Sequence, residues 1–76
     1  MEQFVGVANC ADENEAANIV GSAAFISGVK INQTGLEVEI IFEPDDRCSS
    51  LDESRTVKRI LDLIEPVQNH GISMIC

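Results

Sequence analysis

Hydrophobic and charged residues alternate through the segment LEVEIIFE at 36–43, and this two-residue period predicts a strand. One side of that strand carries only apolar side chains, which are Leu36, Val38, Ile40 and Phe42. The other side carries Glu37, Glu39, Ile41 and Glu43. The pattern therefore predicts a strand that packs one side in a core and presents an acidic side to water.

Two further segments are typical of strands. QFVGVA at 3–8 is an almost continuous apolar run, which favours a central strand buried on both faces. ISMIC at 72–76 is a short apolar segment that follows a predicted turn at NHG, residues 69–71. We expect the first to lie inside a sheet and the second to be its last strand.

The segment VKIN at 29–32 precedes the alternating strand and predicts a hairpin with it. Both strands must turn their apolar residues to one side, because a slip of one residue would invert a strand. A four-residue loop from Asn32 to Gly35 meets this condition. The predicted register pairs Ile31 with Leu36, Lys30 with Glu37, and Val29 with Val38. Lys30 would then lie among the glutamates.

The segment 12–27 has the periodicity of an amphipathic helix. Asp12, followed three residues later by Glu15, forms a capping-box pattern with acidic residues where the helix dipole favours them. The apolar stripe consists of Ala16, Ile19, Val20, Ala23 and Ile26.

The end of this helix has two assignments. Phe25, Val29 and Ile31 occupy alternate positions, so residues 23–31 also fit a strand. We predict that the helix continues through Ile26 and that Gly28 ends it.

A second helix follows the predicted loop EPDDRCSS at 43–50. Ser50 and Glu53 form a second capping-box pattern, and Pro66 is expected to end the helix because it lacks an amide hydrogen. The apolar side of this helix holds Val57, Ile60, Leu61 and Ile64. The polar side holds Arg55, Lys58, Arg59 and Asp62.

The predicted order is strand, helix, strand, strand, helix, strand. Right-handed crossovers then give one domain over residues 1–76 with a ferredoxin-like α+β fold, a four-stranded antiparallel sheet with both helices on one face. The first and third strands are central in that fold. They correspond to QFVGVA and LEVEIIFE, the two segments with the strongest strand patterns. Without the last strand, the fold becomes a three-stranded sheet under two helices.

The predicted fold leaves one face of the sheet without helices. Glu37, Glu39, Ile41 and Glu43 should lie there, joined by Ile75 and by either Phe4 or Val5. An uncovered sheet face with exposed aliphatic groups is a candidate binding or dimer surface. The alternative is an ordinary solvated face with scattered apolar residues.

Composition sets limits on the class of protein. Apolar residues make up 45% of the 76-residue chain, too many for a disordered segment, and three phenylalanines without tyrosine or tryptophan predict an aliphatic core. No apolar run approaches the ~18 residues of a membrane span, and the first residues lack the basic region of a signal peptide. Three cysteines without a C-x-x-C pair favour reduced thiols in a cytoplasmic protein.

The net charge of −8 is distributed unevenly. Residues 1–46 hold nine acidic residues and one basic residue, whereas residues 47–76 hold four of each. This charge repels nucleic acid and anionic membranes and attracts basic protein surfaces. The alternative is that it only keeps the protein in solution.

The residues with reactive side chains do not form a recognisable catalytic or metal-binding pattern. Cys10 precedes a helix, but nearby acidic residues should raise the pKa of its thiol, so we expect an idle or buried thiol. His70 is expected to be a surface turn residue. The spacing of Cys10, Cys48, His70 and Cys76 matches no zinc pattern, and the acidic residues Glu43, Asp45 and Asp46 lack a twelve-residue calcium loop. We therefore predict no metal, no cofactor and no enzyme.

Direct nucleic-acid binding also fits the sequence poorly. Ferredoxin-like RNA-binding domains stack bases on aromatic side chains of the central strands, where this chain has Val, Ile and Glu. A small basic patch of Arg55, Lys58 and Arg59 is interrupted by Asp52 and Asp62, so we interpret it as a solvated helix face.

Two functional hypotheses remain. The first is a small acidic, non-catalytic module that binds a basic protein surface, such as the nucleic-acid-binding surface of an enzyme that it inhibits. Its predicted partner-binding residues are Glu37, Glu39, Ile41, Glu43, Asp45 and Asp46, with the acidic cluster 12–15 a further candidate. The alternative is a regulatory domain that forms a homodimer through its open sheet face and binds a small ligand near Asn9 and Gly28.

Overall fold

The computed structural model describes residues 3–44, 47 and 49–75. Its elements follow the predicted order, with strands and helices alternating as in two βαβ halves. The strands are β1 (Gln3–Asn9), β2 (Val29–Thr34), β3 (Glu37–Phe42) and β4 (Asn69–Ile75). The helices are α1 (Glu13–Ala23) and α2 (Ser50–Ile64).

The four strands form one antiparallel sheet in the order β2-β3-β1-β4. As predicted, the first and third strands are central. Helix α2 packs on β1 and helix α1 packs on β2 and β3, and both contribute to the same core. The ferredoxin-like α+β fold is therefore confirmed, including the last strand.

The core lies between the sheet and the two helices. Its largest fully buried side chains are aliphatic, which are Val38, Ile40, Ile60 and Ile64. Phe4 is buried among them, whereas Val5 faces the other side of the sheet and is only half-buried. Strand β1 is thus central without being fully buried on both faces, which corrects the prediction drawn from its continuous apolar run.

Helix α1 begins as the capping-box pattern predicts. The Asp12 carboxylate accepts a hydrogen bond from the Glu15 amide at 2.8 Å, and the Glu15 carboxylate accepts one from the Ala11 amide at 3.3 Å. The first bond satisfies the Glu15 amide, which has no partner within the first turn of the helix, and the second ties the residue before the cap to that turn.

The same helix ends at Ala23, before the predicted end at Ile26. The Ile26 amide donates to the Ala23 carbonyl at 2.9 Å, so the chain tightens into a turn with i→i−3 bonds. That turn returns Ile26 to the core and leaves Phe25 89% exposed. Gly28, with φ +83°, does not end the helix but lies in the turn that leads into β2.

The cap of helix α2 lies one residue before the predicted cap, Ser50. The Asp52 amide donates to Ser49 Oγ at 3.1 Å, so Ser49 is the cap and Ser50 is the first helical residue. Each serine is followed three residues later by an acidic residue, and the sequence pattern could not separate the two registers. The helix ends at Ile64, two residues before Pro66, as expected.

The hairpin register differs from the prediction by four residues. Ile31 pairs with Ile40, and Lys30 pairs with Ile41 rather than with Glu37. Strand β2 continues to Thr34, and a tight turn at Gly35 and Leu36 replaces the predicted four-residue loop. Gly35 has φ +62°, a conformation that glycine supplies readily in two-residue hairpin turns.

The new register changes which residues pair but leaves the strand side chains on their predicted faces. A shift of four residues is even, so each strand residue keeps its predicted face. Leu36 is the exception, because it lies in the turn and is 39% exposed instead of packing under the helices.

Strand β4 begins at Asn69, so the predicted turn at 69–71 is wrong. His70 pairs with Ala8 and Gly71 pairs with Val7, in a ladder that follows β1 along its whole length. Pairing along a central strand thus overrides the local turn preference of Asn and Gly. Within the described ranges, no helix has both the length and the apolarity needed to span a bilayer.

Candidate functional site

The candidate site is the sheet face opposite the two helices, which we call the open face. Alternate residues of all four strands lie on it, because side chains alternate between the two faces. The central strands contribute Gln3, Val5, Val7, Asn9, Glu37, Glu39 and Ile41. The outer strands contribute Lys30, Asn32, Thr34, Asn69, Gly71 and Ser73.

An apolar centre occupies the middle of the open face and consists of Val5, Val7 and Ile41. Val5 and Ile41 are paired across the two central strands, and all three side chains are half-buried. Gly71 lies directly across from Val7, and no described heavy atom outside Gly71 and its two chain neighbours comes within 4 Å of the place where a Cβ would be. The apolar centre therefore borders open space at Gly71.

An acidic rim borders the apolar centre and consists of Glu37, Glu39 and Glu43. The Asn32 side-chain amide donates to Glu39 Oε1 at 3.2 Å, and the Gln3 side-chain amide donates to Glu43 Oε1 at 2.8 Å. Neutral amides thus orient two of the three carboxylates without cancelling their charge. Each carboxylate keeps further lone pairs for donors from outside the molecule.

Four of the six predicted site residues lie on or beside the open face. Glu37, Glu39 and Ile41 share the open face, and Glu43 joins them through its bond to Gln3. Asp45 and Asp46 lie outside the described residues, as does the side chain of Ile75.

Sequence reasoning missed Val7 and the two amides, Gln3 and Asn32. Val7 was missed because β1 is an almost continuous apolar run, so its sequence does not show which residues face water. The amides were missed because strand pairing decides which carboxylate each of them meets. Asn32 was also placed in the predicted loop.

Cys10 and His70, the described residues with reactive side chains, do not lie on the open face. Cys10 is 7% exposed, and burial raises the pKa of its thiol, with the Glu15 and Asp12 carboxylates adding to the rise. His70 Nδ1 lies 2.8 Å from the Val67 carbonyl oxygen, within β4 rather than in a turn.

Metal-binding side chains are not gathered in the described part of the chain. No three His, Cys, Asp or Glu residues there are close enough together to hold a metal ion. Cys48, Cys76, Asp45 and Asp46, which belonged to the candidate sets weighed from the sequence, lie outside the described residues.

Comparison with known proteins gives the fold alone. No family model matches the chain, and no curated protein matches it in sequence. The crystal structure of PH0061 is similar, with a TM-score of 0.65 at 15% identity, over 97% of this chain and 51% of that chain. The chain thus spans about half the length of PH0061.

Proposed function

We propose that the protein is a non-catalytic binding module whose open face docks on a basic surface of another protein. The observation that supports this is an apolar centre of Val5, Val7 and Ile41 beside an acidic rim with oriented carboxylates. Protein interfaces commonly combine an apolar core with a polar rim. The apolar centre would supply contact area, and the acidic rim would select the partner.

Charge favours a basic partner. The open face and the adjoining Glu43 carry three carboxylates against the single ammonium group of Lys30, within a chain of net charge −8. Such a field speeds encounter with a positive surface and penalises an acidic one. Basic protein surfaces are often built to hold phosphates, so this module would compete with nucleic acid for the same lysines and arginines and act as an inhibitor.

The proposal is tested with a matched pair of charge reversals. The partner is isolated by capture from the native cell at low and at high salt, and its affinity is then measured with purified proteins. E37K/E39K reverses two charges on the acidic rim, whereas D62K/E65K makes the same charge change on exposed positions of α2 and its cap. We expect E37K/E39K to weaken binding at least ~10-fold and D62K/E65K to have a much smaller effect.

Equal losses from the two double variants would leave only the net charge as the cause and would contradict docking through the open face. The apolar centre gives a second test that does not change charge. Replacing Ile41 with alanine should weaken the complex while leaving its salt dependence unchanged, because no carboxylate is removed.

The alternative function, a regulatory homodimer formed through the same face, makes a different prediction. Sedimentation at rising protein concentration should then show a dimer, and E37K/E39K should change the dissociation constant of that dimer. A monomer at high concentration would exclude this alternative and leave the open face free for another protein.

A further inference from the structure

A second candidate site lies on the helix side of the molecule, away from the apolar centre. A cleft of about 420 Å³ opens between the turn after α1, the end of β3 and the first half of α2. Its volume falls within the ~300–1,000 Å³ of small-molecule sites. Of the described residues proposed for protein binding, Glu43 alone also lines this cleft.

Two arginines line the cleft from the same side of α2. Arg55 and Arg59 are four residues apart, so their side chains follow one another by one helical turn. Within the described part of the chain, neither guanidinium forms an ion pair or a hydrogen bond. Two unpaired guanidinium groups on one cavity, in a chain of net charge −8, form a ready site for an anionic group.

The inner wall of the cleft is apolar. Phe42 is 3% exposed and belongs to the core, and Pro44 adjoins it. Gly28 lies against the same wall, where a Cβ would approach Phe42 Cε1 to 3.8 Å. A ligand could therefore place an apolar body against this wall while its charged end meets the arginines.

The remaining polar groups narrow the ligand class. Ser27 is an exposed residue that lines the cleft and carries a hydroxyl, while the Thr56 hydroxyl already donates to the Asp52 carbonyl at 2.9 Å. Glu43 and Asp52 line the same cleft as the two arginines and add two negative charges to it. These carboxylates penalise a phosphate dianion or a polyanion more than a ligand with a single negative charge.

We propose that this cleft binds a small organic carboxylate, whose charged group pairs with Arg55 and Arg59 and whose apolar body lies against Phe42 and Pro44. Arginine forks match carboxylates in a bidentate geometry, which accounts for the paired guanidinium groups. The apolar wall selects for a hydrocarbon body on the acid.

Titration of the ¹⁵N-labelled full chain by NMR tests the site with defined probes. Phenylacetate and 4-methylpentanoate should give saturable shifts at the amides of Ser27, Gly28 and residues 55–59. Their uncharged amides should bind at least ~10-fold more weakly, since a charge-assisted pair is lost. Tighter binding of inorganic phosphate would overturn the ligand class, and the absence of saturable shifts with millimolar acid would overturn the site.

Matched variants separate the site from general attraction by positive charge. R55Q and R59Q should each weaken the acid at least ~10-fold. K58Q makes the same change in charge at an exposed position on the same helix that does not line the cleft, and it should bind as the parent does. A loss in K58Q equal to that in R55Q would overturn the proposal.

A filling variant provides an independent check that leaves charge unchanged. S27F adds a ring at an exposed turn residue that lines the cleft and should abolish the saturable shifts. Because Ser27 is exposed, the far-UV circular dichroism and urea midpoint should remain those of the parent. Undiminished binding of phenylacetate by a folded S27F would place the acid elsewhere and overturn the proposal.

Discussion

The two faces of the sheet are built from the same strands but differ in side-chain burial. On the covered face, β3 presents Val38, Ile40 and Phe42, which are 0%, 0% and 3% exposed. On the open face the intervening Glu39 and Ile41 are only half-buried. Among the described residues, no polar or charged side chain is buried. Stability is therefore concentrated on one face, and the other is free to carry charge and contact surface.

The largest expected difference comes from neighbouring isoleucines of β3. Ile40→Ala should lower the free energy of unfolding by about 2–5 kcal/mol, because it leaves a cavity in a fully buried position. Ile41→Ala removes the same atoms from a half-buried position and should cost about 1 kcal/mol or less. Urea unfolding followed by far-UV circular dichroism measures both, and equal losses would contradict the division between the faces.

Two glycines on adjacent strands give the next comparison. A Cβ at Gly6 would lie 3.0 Å from Ile60 Cγ2 and 3.2 Å from Ile64 Cδ1, so α2 packs closely over that position. Gly6→Val should destabilise the protein by about 1–3 kcal/mol through overpacking. Gly71→Val faces open space and should be neutral or stabilising by up to ~1 kcal/mol, because valine favours strands.

Thermal midpoints of the two valine variants provide the measurement. A stable Gly6→Val variant would mean that α2 can shift away from β1 at little cost. Gly71→Val adds a side chain in the open space beside Val7, so affinity for the proposed partner, measured separately with purified proteins, should fall while the thermal midpoint does not.

The Cys10 thiol adds a dependence on pH on the covered side. Burial and nearby carboxylates raise its pKa in the folded protein above the ordinary value of 9.0, so the folded state holds the proton more tightly than the unfolded chain. Its contribution to stability is constant below pH 9.0 and decreases as pH rises further. Urea midpoints across this range should fall more steeply for the parent than for Cys10→Ala, and parallel curves would contradict this account.

The smallest effect is expected from a polar contact on the open face. Asn32→Ala removes the hydrogen bond to Glu39, yet both groups remain accessible to water, so stability should change by less than about 0.5 kcal/mol. Partner affinity is the more sensitive measurement, since Glu39 loses the amide that orients it. A stability loss of the size expected for Gly6→Val would show that the open face contributes to folding as much as the covered face does.

Local patterns were sufficient to predict the order of elements, the central strands and the cap at Asp12. They failed where two registers satisfy the same pattern. Ser49 and Ser50 each precede an acidic residue at the capping distance, and only the observed bond to the Asp52 amide distinguishes them. The hairpin had the same ambiguity, because an even shift leaves every residue that stays in a strand on its predicted face.

The candidate site was predicted as far as β3 extends. Alternation within one segment placed Glu37, Glu39 and Ile41 together, since a strand fixes side-chain direction by itself. The placement of Gly71 beside Val7 depends on pairing between β1 and β4, which are far apart in the chain. Long-range pairing of this kind leaves no period in the sequence.

The sheet order has a consequence for vectorial synthesis. Strand β1 is synthesised before the other five elements, whereas Ser73 of β4, which pairs with Val5, is synthesised after them. Until then one hydrogen-bonding edge of the central strand has no native neighbour, and closing this distant pair is entropically slow. Hydrogen exchange on ribosome-stalled chains should therefore show weak protection of β1 before β4 emerges, and a sharp gain once it does.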